Sequence, residues 1–336
     1  TAIRALEDAG IPHPRAVGLI ETREESGSND LEHYLKKNAA RFGSPRLVCV
    51  LDSGAGNYEQ LWLTSSLRGA CAIDLNVRVL RQGIHSGTAS GVVPSSFDVL
   101  RILLDRIQDP RTGAILDPAF NVEIPSNRMD DMKKTAEVLG DGFISEFPWA
   151  EGPNGSVQSR CRGTEEALIA RCWKPTLSVT GAAGLPPLSM AGNSLRSDTT
   201  LRLSFRLPPT AKTENILPAL QKKLLTDPPF NAVVSIAGGD ALPGWNAPSE
   251  ADWFRSACDE SSKALWGKPA MRIGEGGSIP ILNLFEAQFP RAQFAVTGVL
   301  GPGSNAHNAD ESLDLAYTEK FIAAVGYLAA SIPEEA

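Results

Sequence analysis

Two short apolar runs near the start of the chain are each followed within a few residues by acidic side chains. Residues 16–20 read Ala-Val-Gly-Leu-Ile and precede the adjacent pair Glu24 and Glu25, and residues 47–51 precede Asp52. Continuous apolar runs of this length are typical of buried parallel strands, which occur in sheets covered by helices. Apolar residues at helical spacing lie between the two runs and complete a strand–helix–strand pattern. The sequence therefore predicts an α/β fold with a helix-covered, mostly parallel sheet.

The pattern changes after residue 68 and returns to the first type near residue 248. The intervening part has β-rich runs at 70–80, 176–180, 200–206 and 232–237 and helical patterns at 97–107 and 214–225. Two helices against an antiparallel sheet would form a compact α+β domain. We therefore predict a first domain made of residues 1–68 and 244–336, interrupted by an inserted domain at residues 69–243. Its second part should contain a helix over 249–267 and a strand over 293–297.

Charge, hydropathy and cysteine usage limit the partners of the chain. Its formal net charge is −7 and it has no basic run, which argues against nucleic acid and anionic membranes as partners. No apolar stretch approaches the roughly 20 residues that span a bilayer. Five cysteines are scattered without a Cys-x-x-Cys pair, which is the usage expected of a reduced, intracellular protein. We therefore predict a cytoplasmic protein.

The acidic residues after the first two runs and one histidine share a position in the predicted fold. Glu24, Glu25, Asp52 and His307 each follow a predicted core strand. Ligands collect at the carboxyl edge of an open α/β sheet, because strand ends and helix N-termini converge there. Carboxylates and imidazole suit zinc, manganese or cobalt, and one glutamate of the pair could bind metal while the other moves a proton. A solvated acidic loop, a helix cap and a plain loop histidine are the alternative interpretations.

Three further segments carry residues that could bind a ligand. Residues 274–280, Gly-Glu-Gly-Gly-Ser-Ile-Pro, would let backbone N–H groups approach a ligand. No Gly-Lys-Ser/Thr follows, which argues against a nucleotide phosphate loop. His85 lies in the glycine-flanked turn at residues 83–87, and Arg206 closes a predicted strand, where its planar fork could bind a carboxylate. An exposed turn histidine and a surface ion pair are the alternative interpretations of these two residues.

Taken together, these motifs resemble those of the dinuclear metallopeptidases that include carnosine dipeptidase, glutamate carboxypeptidase and succinyl-diaminopimelate desuccinylase. The resemblance is greatest to the carnosinase-like dipeptidases, and its motifs extend in order through nearly the whole chain. They are Glu24-Glu25-Ser26-Gly27-Ser28, Asp52, Leu67-Arg68-Gly69, His85-Ser86-Gly87, Ser204-Phe205-Arg206 with Pro208, Glu275-Gly276-Gly277-Ser278-Ile279-Pro280 and His307.

The resemblance implies a role for each matching residue. Glu24 would be the general base that activates a metal-bound water and later protonates the leaving amine, and His85 would stabilise the oxyanion of the tetrahedral intermediate. The implied metal ligands are Glu25, Asp52 and His307. The implied substrate-binding residues are Arg206, Asn193, Glu275, Gly277 and Ser278.

The resemblance also implies an architecture, cofactors and partners. A catalytic domain would be interrupted by a smaller lid domain that also forms a homodimer, which would make residues 69–243 the lid and dimerisation domain. Two divalent metal ions, zinc or manganese, would be the cofactors. The substrate would be a dipeptide or an N-acyl amino acid, hydrolysed at its amide bond. His85 would act either within its own subunit or across the dimer.

One motif of the family is missing from the sequence. The family carries His-x-Asp upstream of the Glu-Glu pair, which supplies a metal-binding histidine and the carboxylate that bridges both metals, whereas His13 and His33 lack the right neighbours. The first residues of the chain, moreover, have the pattern of a helix already under way. We therefore expect a fragment whose N-terminal portion is absent, with a degenerate family member as the alternative, and we assign the predicted activity to the complete protein.

Two other functional classes are alternatives to the hydrolase. A non-catalytic, dimeric binder of amino acids or peptides could use the same fold after losing its metal site. It would have no need of a proton-transferring glutamate, so Glu24 argues against it. An esterase or amidase with a serine nucleophile would need a Gly-x-Ser-x-Gly elbow, which the sequence lacks.

Overall fold

The structure is a computed structural model that describes residues 1–24, 27, 28 and 30–334. The helices are α1 (Ala2–Asp8), α2 (Leu31–Lys37), α3 (Ala39–Phe42), α4 (Ser86–Ala89), α5 (Ser96–Asp105), α6 (Ser126–Leu139), α7 (Gly142–Ser145), α8 (Thr164–Trp173), α9 (Ile216–Leu225), α10 (Asp252–Trp266), α11 (Ile281–Gln288) and α12 (Leu315–Ala330). Among these helices, none combines the length and the apolar character that crossing a bilayer requires.

The strands are β1 (Leu47–Val50), β2 (Trp62–Leu67), β3 (Gly69–Arg78), β4 (Ile84–His85), β5 (Glu151–Gly152), β6 (Gly155–Ser156), β7 (Thr176–Ala183), β8 (Ser194–Leu195), β9 (Asp198–Leu207), β10 (Val233–Leu242), β11 (Trp245–Asn246), β12 (Met271–Glu275) and β13 (Gln293–Val296). Strands β1 and β13 form a parallel pair, while β2 pairs in parallel with β12 and antiparallel with β11. These two small sheets adjoin, because the hydroxyl of Thr297, directly after β13, donates to the carbonyl of Trp62 in β2 at 2.6 Å.

Strand β13 is covered by helices on both faces. Ala295 belongs to a hydrophobic core that includes Phe254 of α10 and Tyr317 of α12. Its neighbours Phe294 and Val296 belong to a different core, which contains apolar residues of α2 and α11. Successive residues of a strand point to opposite faces, so the two cores lie on the two sides of the sheet. The predicted α/β fold with a helix-covered sheet is therefore confirmed.

The second sheet has four antiparallel strands in the order β10-β3-β9-β7. Alternate residues of β9, among them Leu203 and Phe205, are fully buried, as the period of a half-buried strand requires. They pack with α5 and α9 in a third core. The prediction of two helices against an antiparallel sheet is thus confirmed, and the edge strand β7 leaves most of its length exposed.

Helices α6 and α8, which lie between β3 and β7 in sequence, pack against β12 rather than against the four-stranded sheet. The hydroxyl of Thr135 in α6 donates to the carbonyl of Arg272 in β12 at 2.8 Å. Leu168 and Trp173 of α8 are fully buried in the core that contains α10 and α12. The division of the chain at residues 68/69 and 243/244 stays a prediction.

The strand predicted over residues 16–21 is wrong. Those residues have no regular secondary structure, and the side chain of Ile20 is 89% exposed. A strand needs a hydrogen-bonded neighbour, and within the described chain no strand pairs with this segment. An apolar run is thus not sufficient to form a strand here. The runs at 47–51 and 293–297, by contrast, pair with each other in parallel and form β1 and β13.

Candidate functional site

The loops after β1 and β13 lie side by side at one edge of the sheet. Asp52 follows the last residue of β1 by two positions. The backbone N–H of Ser53 donates to the carbonyl of Thr297 (3.3 Å), and that of Ala55 donates to the carbonyl of Leu300 (2.8 Å). Because parallel neighbours end at the same edge, the polar residues of both loops are brought together, as the sequence predicted for Asp52.

A cavity of about 400 Å³ opens at this edge. Asp52 and Ser53 line it from the loop after β1, and Glu311 and Ser312 line it from the segment before α12. The carboxylate of Glu311 accepts a hydrogen bond from the backbone N–H of His307 (2.8 Å), so the histidine loop is fixed at the border of the cavity. The motifs in the sequence do not include Glu311, although its position four residues after His307 is compatible with a contact to that loop.

The backbone of the His307 loop has an unusual shape. Asn305 and His307 both adopt positive φ angles, 53° and 63°, which non-glycine residues rarely take. The loop is held in this shape by a contact between the Asn305 amide and Asp310, and by a backbone bond from Ser312 to Ser304 of 2.8 Å. Such a conformation persists only where its surroundings enforce it, and such residues cluster at functional sites.

The predicted substrate loop begins at the end of β12. A Cβ on Gly274 would lie 2.7 Å from both the Cβ of Cys172 and the hydroxyl of Ser66, so only glycine fits between these elements. Glu275 faces Arg171 across 3.6 Å. Its carboxylate also lies 3.8 Å from the position that a Cβ on Gly54 would take, which places it against the loop that carries Asp52.

Two residues of the predicted substrate site meet directly. The guanidinium Nη1 of Arg206 in β9 donates to the hydroxyl of Ser278 at 3.4 Å, and this hydroxyl donates to the carbonyl of Arg68 at 2.5 Å. Gly277 lies within the same turn and has no heavy atom within 4 Å of its ideal Cβ position. The structure therefore brings Arg206, Ser278, Gly277 and Glu275 to one place, although their roles stay predictions.

Cys172 is the cysteine closest to this loop, and its thiol lies 2.9 Å from the carbonyl of Gly274. Burial raises the pKa of Cys172 to about 11. The thiol is therefore neutral at physiological pH, and a neutral buried thiol is a poor nucleophile. A cysteine-based mechanism is disfavoured at this site.

His85 and Asn193 lie together in a separate part of the structure. Strand β4 pairs with β8 so that His85 is opposite Ser194, and the backbone N–H of Ser86 donates to the carbonyl of Asn193 at 2.9 Å. The Nδ1 atom of His85 accepts from the backbone N–H of Gly87 at 3.1 Å. In the neutral imidazole this bond leaves the proton on Nε2, where the exposed ring can donate it. The chemistry suits an oxyanion donor, and the role itself stays a prediction.

The predicted metal ligands are only partly described. Glu25 lies outside the described residues, while Asp52 and His307 lie within them. Over the described ranges, no group of three or more His, Cys, Asp and Glu side chains is arranged to hold a metal ion. A carboxylate and an imidazole are nevertheless the donor types that zinc and manganese take in proteins. The donors fit such a metal in kind, and Glu25 as a third ligand stays a prediction.

The sequence of the chain is similar to that of known dipeptidases over most of its length. The Cys-Gly metallodipeptidase of Schizosaccharomyces pombe is 26% identical over 326 residues, which cover 94% of this chain and 66% of the yeast protein. The chain is thus similar in sequence to Cys-Gly metallodipeptidases and to β-Ala-His dipeptidases. No protein-family model matches it.

Solved structures agree with this relationship at the level of the fold. The dipeptidase Dug1p of Saccharomyces cerevisiae superimposes with a TM-score of 0.75 at 22% identity, covering 99% of this chain and 69% of that one. Human carnosine dipeptidase 1 superimposes with a TM-score of 0.69 at 20% identity, covering 92% and 64%. The chain thus spans about two thirds of the length of these relatives. The resemblance read from the motifs is confirmed.

Proposed function

We propose that the complete protein is a metal-dependent hydrolase that cleaves the amide bond of a dipeptide or an N-acyl amino acid. The observation that carries this proposal is the hydrogen bond between Arg206 and Ser278. Glu275, from the same loop as Ser278, borders the loop that carries Asp52. The guanidinium of Arg206 could hold the free carboxylate of a substrate while the amide bond of that substrate reaches the cavity beside Asp52. The relatives are enzymes of this class, which gives no support to a non-catalytic peptide binder.

The relatives named as metallodipeptidases imply a divalent metal cofactor. We propose two ions, zinc or manganese, with Glu25, Asp52 and His307 among the ligands. When bound, such ions polarise the scissile carbonyl and favour deprotonation of the attacking water. The protein would supply the rest through its own side chains.

Glu24 would accept a proton from the attacking water and return it to the leaving amine. A glutamate can serve both steps because it is a base when ionised and an acid once protonated. His85 would donate its Nε2 proton to the oxyanion that develops on the substrate carbonyl, since its Nδ1 is already occupied by the N–H of Gly87.

Arg206 would bind the substrate carboxylate, with Ser278, Glu275 and Gly277 shaping the surrounding loop and Asn193 accompanying His85. His85 is exposed and carried by a short strand outside the four-stranded sheet. An exposed donor could reach the active site of a second copy, so we propose that residues 69–243 form a lid domain through which the protein forms homodimers.

The proposal is tested with the complete protein and a panel that includes Cys-Gly, β-Ala-His and N-acyl amino acids. We expect hydrolysis that a chelator abolishes and added zinc or manganese restores. Glu24→Gln should lower kcat by about 10²–10⁴-fold, because an amide cannot accept the proton.

Glu32→Gln is the matched control, since Glu32 is exposed and pairs with Lys36 on α2. Wild-type turnover by Glu24→Gln would remove Glu24 from the mechanism. Binding of these substrates without hydrolysis, in the presence of metal, would favour the peptide binder instead.

A further inference from the structure

Arg68 occupies the single position between β2 and β3, where the chain passes from the sheet that contains β12 to the four-stranded sheet. It is only 9% exposed. A charged side chain is rarely buried to this degree unless its donors are satisfied. Its contacts therefore indicate what it does.

The guanidinium of Arg68 contacts two segments that are distant in sequence. Its Nε donates to the carbonyl of Gly276 at 3.2 Å. Its Nη1 donates to the carbonyl of Lys174 at 3.4 Å and to the hydroxyl of Thr176 at 3.3 Å, at the start of β7. One side chain thus joins the predicted substrate loop to the four-stranded sheet.

The backbone of Arg68 holds the other end of the same turn. Its carbonyl accepts the hydroxyl of Ser278 at 2.5 Å, and that hydroxyl accepts from Nη1 of Arg206 at 3.4 Å. Arg68 therefore contacts the turn twice: its side chain bonds to Gly276 and its carbonyl bonds to Ser278. The hydroxyl of Ser278 in turn contacts the guanidinium of Arg206.

Only an arginine can make the side-chain contacts with this geometry. Three oxygens in different directions require several N–H donors in a fixed plane, whereas the ammonium of lysine is a compact point charge on a flexible stem. Burial lowers the pKa of Arg68 to about 10, and the nearby charges of Arg206 and Arg171 act in the same direction. Arg68 is still charged at neutral pH, so its hydrogen bonds are charge-assisted.

We propose that Arg68 is a positioning residue that fixes the turn 276–278, so that Ser278 holds Arg206 in the orientation that binds the substrate carboxylate. The proposal rests on the proposed function only through the carboxylate that Arg206 would bind. The positioning itself is a property of this chain and can be measured without turnover.

The test uses the complete protein with Arg68→Lys and Arg68→Met. The first keeps the charge, the second keeps an unbranched stem without charge, and both lose the planar fork. Thr176→Val is a milder variant that removes one acceptor while keeping a β-branched residue in the strand. Arg202→Lys is the control, because Arg202 makes a two-pronged bond with Asp74 (2.7 and 2.8 Å) on the exposed face of the same sheet.

The kinetic measurement compares a dipeptide with its C-terminal amide. We expect both Arg68 variants to raise KM for the dipeptide by about tenfold, with kcat much less affected, because a carboxylate contact shared by the bound and transition states is weakened. KM for the amide should hardly change. An equal rise in KM for the two substrates would indicate a general loss of stability and would overturn the proposal. A wild-type KM for Arg68→Lys would overturn it as well.

Hydrogen–deuterium exchange of the peptide that covers residues 274–280 provides a readout that does not depend on hydrolysis. We expect faster exchange there in Arg68→Lys and Arg68→Met, a smaller increase in Thr176→Val, and none in Arg202→Lys. Unchanged exchange in the Arg68 variants would overturn the positioning role. If the complete protein hydrolyses no peptide, the proposed function fails while this measurement still decides the role of Arg68.

Discussion

The backbones of Gly69 and Gly244 touch each other where the chain crosses between the two sheets. A Cβ on Gly69 would lie 2.8 Å from the nitrogen of Gly244, and a Cβ on Gly244 would lie 2.9 Å from the nitrogen of Gly69. The outgoing connection from β2 to β3 and the returning connection from β10 to β11 are thus packed without side chains between them. This contact sets the separation of the two crossings beside Arg68.

Gly244→Ala should therefore destabilise the fold. Its methyl group would meet the backbone of Pro209 at 2.6 Å and the carbonyl of Leu67 at 2.7 Å, and backbone cannot move aside as a side chain can. Overpacking of this kind costs about 1–3 kcal/mol of unfolding free energy, measurable by urea denaturation. Gly18→Ala is the control, because its Cβ would meet no atom within 4 Å. Equal midpoints for the two variants would mean that the crossing can widen.

Arg206 should control the preference for substrates with a free carboxylate. Arg206→Ala should lower kcat/KM for a dipeptide by about 10–100-fold, which corresponds to the loss of a charge-assisted hydrogen bond. For the C-terminal amide of the same dipeptide, kcat/KM should fall much less. Arg206→Lys should also be impaired, because lysine cannot make the two-pronged contact. If Arg206→Ala leaves the ratio between the two substrates unchanged, Arg206 does not bind the carboxylate.

Asp131 should make stability depend on pH in a recognisable direction. Burial raises the pKa of Asp131, and this outweighs its ion pair with Arg128 at 3.1 Å. A raised folded pKa means that the stabilising contribution is present below the ordinary value of 3.8 and is lost as pH rises through the folded pKa. Asp131→Asn removes this titration, so its unfolding free energy should rise relative to that of the wild type as the pH increases above 3.8.

Asp74→Asn provides a control of opposite sign for that measurement. The hydrogen bonds from Arg202 lower the pKa of Asp74, so its contribution is present above its ordinary pKa and is lost as the pH falls. Chemical denaturation at several pH values should give difference curves with opposite slopes for the two variants. Parallel slopes would contradict the assignment for Asp131.

The sequence predicted those parts of the site that depend on strand ends. Asp52 could be placed because the run before it pairs with the run at 293–297, and parallel strands end together. The helix over 249–267 was recognisable from Gly267, which adopts a φ of 77° and closes α10. Apolar periodicity and glycine positions are local signals, so they can be interpreted without knowledge of the tertiary structure.

The remaining parts depend on contacts that no local pattern encodes. Residues 16–21 have the composition of a strand, but strand formation also requires a neighbour that composition does not reveal. Arg68 and Ser278 are 210 positions apart, and the 2.5 Å bond between them follows from the crossing of two sheets. The same holds for Glu311, whose bond to His307 depends on the positive φ angles of that loop.

His85 should be required for turnover, and we expect it to act in the active site of the partner subunit of a dimer. An oxyanion donor contributes about 10²–10³-fold to kcat, so His85→Ala in the complete protein should lose about that much. An exposed turn histidine with no catalytic role would leave the rate almost unchanged. Mixing His85→Ala with Glu24→Gln then separates action within a subunit from action across the dimer.

In a mixed dimer, the subunit with His85→Ala keeps its own Glu24 and meets the intact His85 of its partner. If His85 acts across the dimer, random exchange between two-fold symmetric dimers should restore about a quarter of the wild-type sites. If it acts within its own subunit, every site in the mixture lacks one of the two groups, and no activity returns. Mixing Glu24→Gln with the double variant is the control that should stay inactive. Exchange confirmed by mass spectrometry without recovered activity would exclude a contribution of His85 across the dimer.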